Sequence, residues 1–329
     1  MWLYVWLVFV FGLGACVGSF LNVAVARMPA NISVFWPPSR CGKCLAPVRW
    51  YDNLPLVSYW WLGGRCRCCG DTFSMRYFLI ELMTALGFVG LFYLEVAENV
   101  HRWPDPEEGW GIQHGFFPWE WFVGFLYHAV LFSFLVAAAA CDLKNKKIPL
   151  RLPLTGTGIG FVGGVLMPWP WPHNPLAPTG VGLKEGIFPC PIWDPLPDWV
   201  APGDNWQLGL ANPLLGILAG ALMGTAAGWL YGKFLGRDGW GRGHTALMMM
   251  AGSFLGWQPV VLAFFVSAVA ALSFALFQQL VRKEHALPCG LTIAVGVIVT
   301  SLSWHWLGSS IQSLAASNAL LIVACRGRI

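Results

Sequence analysis

The chain predicts an all-α fold, a polytopic membrane bundle of eight or nine transmembrane helices that carries a zinc-binding loop in the cytoplasm. Its 329 residues are 57% hydrophobic and only 11% charged, with a mean hydropathy of +0.59, a balance that a water-soluble domain does not keep in solution. Long uncharged runs recur along the chain, each near the roughly 20 helical residues that cross a hydrocarbon core. Basic and acidic connections alternate between those runs. A net charge of +4 is too small to argue for nucleic acid as a partner; the lipid bilayer is the partner that the composition demands.

Residues 1–26 form the first membrane helix, uncharged from Trp2 to Ala26 and with no Lys or Arg ahead of it, which argues against a cleaved signal peptide. Residues 27–76 follow as a loop with Arg27, Arg40, Lys43, Arg49, Arg65, Arg67 and Arg76 against only Asp52 and Asp71. The positive-inside rule puts that loop in the cytoplasm. The remaining 77–329 read as a helix bundle with two external insertions, about 97–120 and 168–213. Helices are expected over Tyr77–Val96, Trp121–Ala140, Leu152–Met167, a fifth carrying a glycine ridge, Ala246–Trp257, Val260–Val281, Leu287–Trp306 and, for a ninth, Ile311–Cys325. The first insertion is acidic, with Glu95, Glu98, Asp105, Glu107, Glu108 and Glu120. The second is rich in Pro and Trp, whose indoles suit a lipid interface. In the fifth helix Gly216, Gly220, Gly224, Gly228, Gly232 and Gly236 recur every fourth residue, a smooth face that lets another backbone come close.

Cys41, Cys44, Cys66 and Cys69 form two CxxC pairs separated by 21 residues. Each CxxC turn offers two thiolates to one metal, and the intervening loop brings the second pair round, so the spacing predicts a structural, tetrahedral zinc site. A reducing compartment favours thiolate ligands over disulfides there. Cys68 adjoins Cys69 and competes as a ligand, although only Cys66 and Cys69 keep the two-residue gap. Cys16, Cys141, Cys289 and Cys325 lie in or beside apolar runs and read as small buried hydrophobes.

The segments GSFLNVAVARMP (Gly18 to Pro29), WYDNLPLVSYWW, GGRCRCCG, RYFLIE (Arg76 to Glu81), CDLKNKKIP (Cys141 to Pro149) and GSFLGWQ (Gly252 to Gln258) follow one another in collinear order. Together they resemble the type 4 prepilin peptidases, over roughly residues 12 to 290. The resemblance implies a bacterial inner-membrane aspartic endopeptidase that clips the leader of pilin-like precursor proteins at the cytoplasmic face. The resemblance also implies that members with the cysteine loop often methylate the new N-terminus with S-adenosylmethionine. It implies one catalytic aspartate at Asp142, opening a turn, and a second at the end of a GxGD motif. Two adjacent carboxylates share a proton, so that one activates water while the other protonates the substrate. Here the second motif reads Gly241, Arg242, Gly243, His244, with a histidine where the carboxylate is expected. Ala246 and Leu150 also depart from the family pattern. Three outcomes follow: Asp142 paired with His244, Asp238 of GRDG taking the missing role, or a substrate-binding or methylating scaffold whose peptidase step is lost. His128 and His305 are read as hydrogen-bonding between helices, and Glu81 as a family position without a role of its own. A transporter is disfavoured by the lack of an internal repeat.

Overall fold

A computed structural model of the chain describes residues 2–101, 117–145, 147–166, 205–235, 240–281, 288–304 and 306–307. The named helices are α1 (Trp2–Arg27), a short α2 (Val57–Trp61), α3 (Arg76–Phe92), α4 (Trp119–Asn145), α5 (Arg151–Leu166), α6 (Asn205–Leu235), α7 (Arg242–Leu255), α8 (Trp257–Val281) and α9 (Cys289–Trp304). The loop between α1 and α3 holds short 3-10 turns and isolated bridges. Helix follows wherever long apolar runs lack interior proline, because only an internally hydrogen-bonded backbone is tolerated in lipid.

Among the described residues five helical segments are long and apolar enough to cross a membrane: Trp2–Ala30, Arg76–Ala97, Trp121–Lys144, Leu210–Lys233 and Trp257–Leu280. The chain is a membrane protein. The expected eight or nine full spans are not all of that kind. The 16-residue α5 and 14-residue α7 rise only about 24 and 21 Å, short of a hydrocarbon core of roughly 30 Å, and α9 is likewise short. The expected span over Ile311–Cys325 lies outside the described residues, as do His305 and Cys325.

Helix α7 is central instead of lipid-facing. Ten of its fourteen residues are buried, against partly exposed flanking helices. It is short because both ends are fixed locally. At its start the Gly241 carbonyl accepts the His244 N–H, and at its end Gly256 turns the chain at φ 87, a conformation that suits glycine. The break therefore falls at Gly256, two residues ahead of the expected Gln258–Pro259. Pro259 sits in the first turn of α8, where a missing N–H costs little.

Two other boundaries move. Helix α4 runs to Asn145, so Asp142 projects from its last turns and does not open a loop. Helix α6 begins at Asn205 and takes in residues that the second insertion was expected to hold, with Pro213 inside it. The glycine ridge is real over part of its length. A Cβ on Gly216 or Gly220 would collide with the carbonyls of Gly252 and Met248, and one on Gly224 would lie 2.8 Å from the Thr245 Cα, so α6 lies antiparallel and backbone-close on α7. Gly228 faces the Trp240 ring, Gly232 meets open space, and Gly236 lies outside the described residues.

Helices α1 and α3 pack antiparallel at the other side of the bundle, with the Asn22 amide donating to the Tyr77 carbonyl at 2.9 Å. Two apolar clusters result. One joins α7 to α4, α5, α8 and α9 through Leu135, Leu247, Met250, Phe254 and Val297. The other surrounds Phe88, Phe92, Trp121 and Phe125, with Trp6 stacked on Phe117 at 4.1 Å. Cys141 and Cys289 are buried as expected, but Cys16 is exposed, because the face of α1 that carries it turns away from α3 and α4.

The ridge yields a paired expectation. Gly220→Leu should destabilise the protein by at least about 1–3 kcal/mol, the ordinary cost of overpacking, whereas Gly232→Leu should be near neutral. Denaturant or thermal unfolding in detergent measures both, and equal effects would contradict this packing.

Candidate active site and metal-binding loop

The four cysteines meet as two copies of one turn. In the first, the Cys41 N–H donates to the Ala46 carbonyl and the Leu45 N–H to Cys41; in the second, the Cys66 N–H donates to Asp71 and the Gly70 N–H to Cys66. Bridges Arg40 to Pro47 and Arg65 to Thr72 close the two turns at equivalent positions. The residue after each CxxC adopts a left-handed backbone, at φ 58 for Leu45 and φ 72 for Gly70. Glycine takes this conformation freely and leucine does not. The repeat settles the place of Cys68, which corresponds to Lys43 and, like it, is exposed away from the cluster.

The Sγ atoms of Cys41 and Cys69 lie 3.8 Å apart, those of Cys44 and Cys66 4.0 Å, and all four within 4.8 Å of one another. A tetrahedron with metal–sulfur bonds of about 2.3 Å has edges of about 3.8 Å, whereas a disulfide needs about 2.05 Å. The cluster can hold one metal ion. The Cys44 and Lys43 backbone N–H groups lower the Cys41 thiol to about 6, while burial and the neighbouring thiols push Cys44 and Cys69 up, as four thiols crowded at one point do when no cation shares the site.

Polar contacts tie the loop down. Arg67, between the second pair of cysteines, grips Asp52 of the WYDN segment with bonds of 2.7 to 3.1 Å, and this holds the Asp52 carboxyl below the usual carboxylate range. Glu81 of α3 accepts the Leu56 N–H at 2.8 Å and so pins a residue at φ 64 and ψ −43, which L residues rarely adopt. Glu81, without a role in the sequence, is thus the anchor of the loop on the helices. Between loop, α1 and α3 lies a cleft of about 260 Å³, lined by Asn22, Arg27, Tyr59, Phe73, Tyr77 and Glu81 among others.

Asp142 and His244 come together at the basic end of the bundle. Both are about 5% exposed, and His244 Nε2 lies 3.5 Å from Asp142 Oδ1. The Gly241 N–H donates to His244 Nδ1 at 3.2 Å. That contact uses the Nδ1 lone pair, so a neutral imidazole carries its proton on Nε2, toward Asp142. The Gly290 N–H, in the first turn of α9, donates to Asp142 Oδ2 at 2.7 Å. Two glycines permit this. A Cβ on Gly290 would lie 2.9 Å from Asp142 Cβ, and one on Gly243 would lie 2.5 Å from the Ile148 carbonyl oxygen. Gly243 therefore lets the start of α7 rest on the turn after α4. Trp240 covers the imidazole at a ring separation of 5.5 Å and donates to Thr245. Asp238 lies outside the described residues. Ala246 is buried in α7, and Leu150 is exposed.

Comparison with known proteins agrees with this combination of loop and paired turns. The bacterial peptidase A24 N-terminal domain matches residues 12–94, the span of α1, the cysteine loop and α3. A protein of Aeromonas hydrophila is 27% identical over 97% of this chain and 96% of its own, and one of Dickeya chrysanthemi 26% identical over 85% of each. Both are named prepilin leader peptidase/N-methyltransferase. So is a Myxococcus xanthus protein, 30% identical over 77% of this chain, which spans 57% of that relative's length. The chain belongs to the type 4 prepilin peptidase family. No solved structure matches it. The family's domain match ends before α4, so Asp142 and His244 lie beyond it.

Sequence reasoning missed Gly290, whose signal is a glycine just after Pro288 at a helix start, and Trp240. It also assigned Glu95 to an external acidic segment. The Glu95 side chain is fully buried between His128 and His101, drawn in by those two imidazoles. His128 does bond between helices, as its position in α4 suggested.

The Arg67 to Asp52 pair gives a test of the loop. Because Asp52 is depressed in the folded state, its contribution is present above the ordinary carboxylate value and lost only as pH falls through the lowered one. Asp52→Asn should speed amide hydrogen exchange at Cys66–Cys69 by roughly two- to five-fold, uniformly from about pH 5 to 8. Unchanged exchange at neutral pH would remove the pair from the loop's support.

Proposed function

We propose that the chain is a prepilin leader peptidase, a membrane aspartic-type endopeptidase that cleaves leader peptides from type IV pilin-like precursors at the cytoplasmic face of the bacterial inner membrane and methylates the new N-terminus. The observation that carries the reading is the 3.5 Å approach of Asp142 and His244, about 100 residues apart in sequence, at the positions where the family resemblance implies a catalytic pair.

The pair keeps the charge balance of the carboxylate dyad it replaces. Two neighbouring aspartates hold one proton and one negative charge. Ionised Asp142 beside a neutral His244 protonated on Nε2 also holds one negative charge and one transferable hydrogen-bonding proton. In the proposed step Asp142 takes a proton from water as the water oxygen bonds to the scissile carbonyl carbon. The Nε2–H of His244 donates to the carbonyl oxygen as negative charge develops there, a role that neutral imidazole fills elsewhere. The carbon–nitrogen bond then breaks, the proton passes from Asp142 to the leaving amine, and Asp142 returns to its ionised form. Gly290 N–H holds the other carboxylate oxygen, which leaves Oδ1 for water.

For the tetracysteine loop the proposed ion is structural Zn²⁺, supported by the thiolate set and its near-tetrahedral edges. Basic residues at both ends of the loop support its cytoplasmic location. The residues of the neighbouring cleft fit S-adenosylmethionine: Tyr59 and Phe73 offer aromatic faces for its base, and Asn22 and Glu81 offer polar groups for its amino acid part. Bound there, it would supply an electrophilic methyl group for the product amine.

A reconstituted assay on a pilin-like precursor tests the reading. Wild type should cleave, Asp142→Ala should lose about 10²–10⁴-fold in kcat, and His244→Ala about 10²–10³-fold. Gly290→Ala should lower kcat with the fold retained. Labelled methyl from S-adenosylmethionine should appear on the new N-terminus. Cleavage by a His244→Asp version with none by wild type would show instead a scaffold that binds or methylates substrate. That second reading draws on the 3.5 Å separation, which is longer than a hydrogen bond. For the loop, Cys41→Ser with Cys44→Ser should remove about one zinc per chain and loosen the loop, since structural zinc contributes folding energy directly. Unchanged zinc content would refute that assignment.

A further inference from the structure

We propose that Glu95, His101 and His128 form a second metal site, for one divalent transition ion of the zinc type, at the end of the bundle remote from Asp142. His128 and Asp142 both lie on α4, 14 residues apart and hence about 21 Å along the helix. The site is therefore separate from both the candidate catalytic pair and the cysteine loop.

The three side chains are almost fully buried, at 0%, 1% and 2% exposure for Glu95, His101 and His128. Their donor atoms lie within 4.8 Å of one another. His128 Nδ1 is 3.0 Å from both carboxylate oxygens of Glu95, and His101 Nε2 is 3.4 Å from Glu95 Oε1. The imidazole rings stand 5.5 Å apart, edge to face. Ligands about 2.05 Å from one ion at angles of 90 to 110° are separated by about 2.9–3.4 Å, so the two N to O distances already suit a shared ion. A nitrogen equidistant from both carboxylate oxygens, with a second nitrogen at 3.4 Å from one of them, sets three potential ligands around one point.

The backbone arranges this convergence. Tyr93–Ala97 is a π-helical turn at the end of α3, and π turns redirect side chains and frequently mark functional sites. Here the wider turn buries Glu95 and Val96 against α4, and His101 returns just beyond it. Phe92, Val96 and Phe125 supply the surrounding apolar shell. Two imidazoles and one carboxylate make a borderline-soft set that suits Zn²⁺ and its first-row neighbours and disfavours Mg²⁺ or Ca²⁺. An ion there would clamp the end of α3 to α4.

The test uses the full chain in detergent, equilibrated with zinc and desalted. Wild type should carry about two zinc ions per chain and the Cys41→Ser, Cys44→Ser variant about one, that one lost on adding His101→Gln and His128→Gln. Cobalt in the cysteine variant should give visible d–d bands without sulfur-to-cobalt charge transfer, the signature of nitrogen and oxygen ligands. A monodisperse cysteine variant that retains no zinc and shows no cobalt bands would overturn the proposal. So would metal that persists after both histidines are replaced. Should the cysteine variant not stay monodisperse, the wild-type stoichiometry decides, and a single zinc overturns the site.

Discussion

The backbone contact between Gly243 and Ile148 is the constraint on which the candidate site depends. Asp142 ends one helix and His244 begins another, and neither position alone aims its side chain at the other. With no Cβ on Gly243, the first turn of α7 settles on the carbonyl of Ile148 and the two side chains reach 3.5 Å. The same absence of side chains operates along α6, where Gly216 and Gly220 let α7 approach backbone to backbone. In lipid, where apolar surface gains little by leaving its surroundings, such close packing is a main source of helix association. The short central helix is held by glycine on both sides.

This arrangement bears on the chemistry of a histidine at an aspartate's position. A carboxylate there would need its own proton to avoid repulsion by Asp142. A neutral imidazole whose Nδ1 is engaged by the Gly241 N–H presents its own Nε2 proton toward Asp142 without taking up another. A neutral histidine beside an ionised Asp142 thus keeps the single negative charge of a proton-sharing carboxylate pair.

The metal loop and the bundle are coupled through few groups. Glu81 reaches from α3 to Leu56, and Arg67 joins one cysteine turn to the WYDN segment. These contacts give a 29-residue loop without a large core a defined seat beside the cleft. At the opposite end Glu95, His101 and His128 lie together, and among the described residues the buried ionisable Asp, Glu and His side chains occur only in this group and the Asp142–His244 pair, as the cost of isolated charge in an apolar interior requires.

Sequence by itself determined the membrane class, most helix positions, the tetracysteine set and the family, because hydrophobic period, cysteine spacing and collinear motifs are local properties of the chain. It also marked Asp142 and His244 as the residues to compare. Tertiary structure decided what depends on approach between distant segments: that α7 is a buried half-length helix, that Gly290 holds Asp142, that Glu81 anchors the loop, and that Cys68 points away while Glu95 turns inward. Gly290 carried only the signal of a glycine near a helix-opening proline and Glu95 none, since a glycine's purpose lies in the atoms across from it and a carboxylate's burial lies in the imidazoles that receive it.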